Sequence, residues 1–209
     1  MSGLPVKSER ANTITHLLGS LFALSSIWMV WPAVHHSWQM AFGVLFFIVG
    51  MFIMFALSAS YHWVHPGRAK RVMRIFDHIG IYVMIACSYT PICVAVVGGW
   101  LGWTIFAVQW LAVIGGIFYK VFAMGRFPRL SLAIYLLMGW SVLLVFKPVM
   151  SHLSPLAIAL LVTEGVLYSA GTWFFAHDDK RNFHAIWHIF VLLGSMAHWS
   201  VVLCILMDA

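Results

Sequence analysis

Charge is what this sequence has least of. Only 9% of its 209 residues are Asp, Glu, Lys or Arg, against about 25% in an ordinary water-soluble domain. Apolar side chains make up 63%, more than a core of this size hides, so lipid must replace water over much of the surface. There is no polar stretch long enough for a soluble domain or a linker, and there are no repeats, so residues 1–209 read as one domain. Cysteine is scarce. Cys87, Cys93 and Cys204 lie inside apolar runs with no CxxC pair, which leaves them as small buried hydrophobes. The net charge of +6 would suggest nucleic acid in a soluble protein. Here no nucleic-acid module is recognisable, the basic residues sit in short breaks between apolar runs, and no nucleic-acid partner is expected.

What the sequence has is long hydrophobic runs. A span of the bilayer needs roughly 20 mostly apolar residues. Seven candidates follow one another: 13–34, 40–64, 74–97, 101–123, 130–150, 155–177 and 184–206. The expected fold class is therefore all-α, a seven-transmembrane helix bundle. The first run follows Lys7 and Arg10 as a signal peptide would. It is too long for a signal core and no A-x-A site follows it, so it is expected to be a retained span. With seven spans, eleven of the twelve basic residues fall on one side, and only Lys147 falls on the other. The positive-inside rule makes that side, and the N-terminus, cytoplasmic. Trp28, Trp31, Trp38, Trp100 and Trp103 flank the opposite breaks, where an aromatic belt is expected. Pro91 is expected to kink the third span.

Ionisable groups inside spans are costly and need a partner or a function. His184 and His188, four residues apart at the start of the last span, share one helix face. Ser58 and His62 repeat that spacing at the end of the second span, and Asp77 and His78 open the third. All these ends lie at the cytoplasmic side. If the helices are neighbours, three imidazoles and a carboxylate converge, as in a catalytic zinc site with one open position. Spacing alone leaves haem and a His/Asp proton relay open as rivals. Glu9 suits the positive end of the first helix, and His16 suits either the site or the lipid headgroups. Glu164 falls near the bilayer midplane, where a carboxyl is expected to be protonated, hydrated or paired. His35, His36, His65, His152, His177 and His198 have no assignable partner from sequence.

Several stretches together resemble the bacterial hemolysin III proteins. They are ERANTITH (9–16), SASYH (58–62), FDHIGIYVMIACSYTP (76–91), LSLAIYLLMGW (130–140) and FHAIWHIFVLLGSMAH (183–198), in that order and along nearly the whole chain. Those proteins belong with the progestin and adipoQ receptors, including the adiponectin receptors, and are distantly similar to alkaline ceramidases. The resemblance implies a zinc ion (Zn2+) at the cytoplasmic side with His62, His184 and His188 as ligands. It implies Asp77 as the partner of a water at the zinc, with Ser58 beside it. It also implies a bacterial inner or plasma membrane location. Two functions follow as expectations. One is a zinc-dependent hydrolase of a lipid amide or ester, with Asp77 and Ser58 catalytic and a membrane lipid as substrate. The other is a non-enzymatic sensor or regulator of membrane state with structural zinc. Direct lysis of cells is not expected, because no amphipathic or soluble pore-forming segment is present.

Reporter fusions in the breaks near residues 67, 127 and 180 should all read cytoplasmic. One of them reading external would break the seven-span count on which the depth argument rests.

Overall fold

A computed structural model describes residues 6–208. Among these residues the chain is helix and turn, with no strand. Lipid offers no hydrogen bonds to a bare backbone, so an apolar chain that crosses it must satisfy every peptide group within its own helices. Seven helical stretches are long and apolar enough to cross: Glu9–His36, Trp38–Trp63, Arg68–Val97, Gly99–Ala123, Arg129–His152, Pro155–Ala176 and Phe183–Asp208. They match the seven expected runs. The difference lies at the ends, where polar residues extend the helices beyond the apolar runs. The first helix begins by Val6, and the third at Arg68. Glu9 and Asn12 are thereby helical residues of the first span, one turn apart and above His16.

The breaks use ordinary punctuation. Ser37 caps the second span by accepting from the Met40 amide at 3.1 Å, and Ser154 caps the sixth ahead of Pro155. Gly98 and Gly99 turn the chain with φ of 61° and 54°, a conformation that costs a residue without Cβ little. Pro91 ends the α-helical part of the third span, which continues as a π-helical turn over Ile92–Val97. The expected kink thus takes the form of a widened turn. The first and fifth spans are interrupted by 3₁₀ turns at Ser26–Met29 and Ser141–Val145.

The second and third spans form the most extensive helix pair in the bundle. No hydrophobic force separates helix from lipid inside a membrane, so close backbone approach must hold them. Glycine permits it. A methyl group built on Gly43 would meet the Cα of Pro91 at 2.5 Å, and one on Gly50 would fall inside the Cys87 side chain. The first span packs on the second, and the seventh packs on the sixth and the first. The ends of the first, second, third and seventh spans that carry Glu9, His62, Asp77 and His184 are therefore neighbours. The fifth span is the most loosely held and touches the sixth only sparingly. Lipid-facing positions are apolar, as at Leu137 and Leu144, and Trp31, Trp38 and Trp100 project outward at the far end of the bundle.

Replacing Gly50 by Leu should push the second and third spans apart and destabilise the protein by about 1–3 kcal/mol, the usual cost of overpacking. Gly115, exposed and with open space around it, should accept Leu without such a loss. Unfolding of the two variants in the same detergent compares them. Equal stability would mean that this close approach is not what holds the pair.

Candidate metal centre

His62 sits in the last turn of the second span, and His184 and His188 in the first turns of the seventh. Their rings converge. Centroids lie 4.8 Å apart for His62–His188 and His184–His188, and 5.1 Å for His62–His184. One nitrogen from each lies within 4.8 Å of the other two. His62 and His188 are buried and His184 is half-buried.

The first span supplies the outer support, which the sequence alone did not assign. Glu9 Oε2 accepts from His62 Nδ1 at 2.7 Å, and its other oxygen pairs with Lys70 Nζ at 3.0 Å. The carbonyl of Asn12 accepts from His188 Nδ1 at 3.3 Å, with the Thr15 hydroxyl 3.4 Å from the same nitrogen. His184 Nδ1 stands 3.5 Å from Asp178 Oδ2. In His62 and His188, Nδ1 is hydrogen-bonded to an oxygen of the first span, which leaves Nε2 free for the cluster, whereas His184 Nδ1 is buried without a hydrogen-bond partner. His62 Nε2 is buried with no hydrogen-bond partner. Histidines that hold metals are oriented in this way, by an acceptor on the second ring nitrogen. Glu9 therefore does more than face the positive end of its helix. His16 is buried rather than at the headgroups, stacked on His188 with centroids 3.6 Å apart.

Beside the cluster lies a small cavity of about 20 Å³, room for about one water. Its walls include Ser58, Asp77, His16, His184 and His188. Asp77 does not belong to the group of converging nitrogens, and it faces the same space as Ser58. His78, the next residue, also lines this space and meets Lys120 Nζ at 3.3 Å. Lys120 is buried and bonded to the Ser131 hydroxyl at 2.7 Å, so it is not one of the headgroup-facing charges. Nothing in the local sequence marks this inward turn.

A second, larger cavity of about 110 Å³ lies deeper in the bundle. Met54, Ile81, Trp187 and Val191 line both spaces. The larger one reaches Gly139 and Trp140 at the loose contact between the fifth and sixth spans, where both residues are exposed. At its inner end stand Glu164 and His198, joined at 2.8 Å.

The residues fit a small metal ion. Two nitrogens bound to a tetrahedral zinc ion stand about 3.4 Å apart, from bond lengths of ~2.0–2.1 Å. Ring movements of roughly an ångström per side chain bring the observed spacing to that value. The three rings are too close together, and the adjoining space too small, for a porphyrin.

Comparison with known proteins agrees with this architecture. The "Haemolysin-III related" family matches residues 5–199. Hemolysin-3 of Bacillus cereus is 36% identical over 200 residues, covering 95% of this chain and 91% of that protein. The Hemolysin-3 homolog of Bacillus subtilis (strain 168) is 36% identical over 201 residues, covering 95% and 94%. A more distant relative is the heptahelical transmembrane protein ADIPOR2 of Oryza sativa subsp. japonica, 29% identical over 182 residues, covering 75% of this chain and 78% of that one. A seven-helix bundle whose three clustered histidines can hold a metal ion, matched along nearly its whole length, makes this chain a multi-pass membrane protein of the haemolysin-III related family.

Proposed function

We propose that this protein is a zinc-dependent hydrolase of a lipid amide or ester, acting at the cytoplasmic leaflet of a bacterial inner or plasma membrane as one seven-span domain. The observation that carries the reading is the adjacency of two cavities. The histidine cluster opens on a cavity walled by a carboxylate and a hydroxyl, and that cavity shares walls with an apolar one reaching the lipid.

Zinc suits this donor set, because imidazole nitrogens in a tetrahedral arrangement favour it. When bound to three neutral imidazoles and one open position, it lowers the pKa of a water to ~7 and polarises a carbonyl. The chain's own residues do the rest. Asp77 orients the attacking water and accepts its proton. The Ser58 hydroxyl donates to the carbonyl oxygen as negative charge develops there. Glu9 and the Asn12 carbonyl hold His62 and His188 in their tautomers. Met54, Ile81, Trp187 and Val191 make the boundary between the two cavities apolar, which suits an acyl chain and disfavours bulk water. A substrate dissolved in lipid arrives through the loose contact of the fifth and sixth spans.

Purified protein should contain close to one zinc per chain by elemental analysis. His188→Ala should lose most of it. Glu9→Gln, which leaves all three ligands in place, should weaken zinc binding by about 10–100-fold, the usual effect of losing an outer-shell partner. Full zinc retention in His188→Ala would take His188 out of the ligand set.

Asp77→Asn keeps the shape of the side chain and loses the base. Its zinc content and folding should match the parent, while turnover of a lipid amide or ester falls by roughly 10²–10⁴-fold. A panel of ceramides, lysophospholipids and acyl esters measures both proteins. Equal turnover would show that Asp77 is not the base. A parent that cuts no member of the panel would favour the other reading of the same residues, a regulator of membrane state in which zinc ties the first, second and seventh spans together.

A further inference from the structure

Lys120 is the buried charge that the metal chemistry leaves unused. It lies on the fourth span and is only 3% exposed. Its Nζ donates to the Ser131 hydroxyl at 2.7 Å, and the rings of Tyr119 and Tyr135 lie 5.5 and 5.7 Å from it. Aromatic faces and a hydroxyl steady an ammonium group. Among the described residues no carboxylate forms an ion pair with it. A buried cation without an anion is costly, so its place calls for a function.

The remaining contact is with His78 on the third span, whose Nδ1 is 3.3 Å from Lys120 Nζ. An ammonium has hydrogens and no lone pair, so Nδ1 must accept. A second cation beside the first is disfavoured, so the ring is neutral and its hydrogen is on Nε2. The two nitrogens lie on different flanks of the ring, which directs Nε2 away from Lys120. That atom bonds to no protein group and, in contrast to Nε2 of His62 and His198, it is not sealed off by protein. His78 lines the small cavity together with Asp77 and Ser58. The Tyr135 hydroxyl fixes the helix there by donating to the His78 carbonyl at 3.0 Å.

From this geometry we infer that His78 is the acid of the hydrolysis proposed above, and that Lys120 positions it and replaces its proton. The inference rests on the hydrolase reading. An amide or alkyl ester cannot release its amine or alcohol as a strongly basic anion, so the leaving atom must receive a proton. The water oxygen bonds to the carbonyl carbon as one of its protons passes to Asp77. The bond from that carbon to the leaving nitrogen or oxygen then breaks, and the electron pair stays on the leaving atom. His78 Nε2 gives that atom a proton while Lys120 Nζ gives one to Nδ1, so the ring never becomes an anion. The products are the acid and the amine or alcohol. Asp77 has gained one proton and Lys120 has lost one, and exchange with water restores both.

Leaving-group dependence separates this role from a structural one. A para-nitrophenyl ester releases a weakly basic anion that needs no proton. The substrates are the amide or alkyl ester that the parent cuts fastest and the para-nitrophenyl ester of the same acid, with kcat measured in the parent, in Lys120→Met and in His78→Phe. In each variant the ratio of nitrophenyl ester to amide or alkyl ester turnover should rise by roughly 10²–10⁴-fold, the loss expected for an acid that only one substrate needs. Nuclear magnetic resonance of the parent, isotope-labelled in its histidine ring nitrogens, should find His78 neutral with its hydrogen on Nε2. An unchanged ratio in either variant, as expected if Asp77 returns the proton of the water to the leaving group, would overturn the proposal and leave the hydrolase reading standing. So would hydrogen on His78 Nδ1 in the parent, a measurement that needs no variant to fold. A parent that cuts neither substrate would remove the hydrolase reading and the relay with it.

Discussion

Inside a bilayer a polar group has no water to fall back on, and the rest of this structure depends on that constraint. The backbone answers it by forming helices. The side chains answer it by pairing across helices: Glu9 with His62 and Lys70, Glu164 with His198, Gln109 with Ser141, and Lys120 with Ser131. Each pair joins two spans, so the polar residues tie the bundle together as much as the apolar ones do. Apolar packing alone distinguishes poorly between a neighbouring helix and a lipid tail. The polar pairs and the glycine contacts of the second and third spans supply the specificity that hydrophobicity cannot.

That division accounts for what the sequence disclosed and what it hid. The number of spans was legible, because an apolar run about 20 residues long matches the thickness of a bilayer and exceeds what a soluble core helix needs. The convergence of His62, His184 and His188 was also legible, though only through topology. Spacing placed two imidazoles on one face, and the alternation of spans put the third at the same depth. The support around them was not legible. Glu9 and His62 are 53 residues apart, and His188 and Asn12 are 176 apart. No periodicity links such residues, and their pairing depends on how the first span is rotated about its axis. Glu164 and His198 were each visible as anomalies, but their meeting depends on the register of the sixth span against the seventh. The burial of Lys120 was hidden for the same reason, since a lysine at the end of a span reads as a headgroup anchor.

The helix ends mattered more than their lengths. A hydropathy pattern marks the apolar middle of a span and stops where polar residues begin. In this protein the polar turns beyond that middle remain helical, from Glu9 to Asn12 in the first span and from Arg68 in the third. Glu9, Asn12 and Lys70, which support the histidines, come from those turns, while His62, His184 and His188 lie within the apolar spans. A span boundary drawn by hydrophobicity therefore divides the histidines from part of their support.

The two polar centres also differ in the charge they can carry, and their depths follow from it. A divalent ion among three neutral imidazoles adds two positive charges. Glu9, Asp77 and Asp178 are acidic groups close enough to offset them, with Lys70 holding Glu9 from outside. Such an assembly is tolerable only near an interface, where solvent and headgroups reduce the cost of the residual charge. Glu164 and His198 have no such relief. At the midplane they persist because one acid and one base can share a proton and sum to zero. A metal ion held by these histidines thus suits the end of the bundle, and the neutral pair suits its middle.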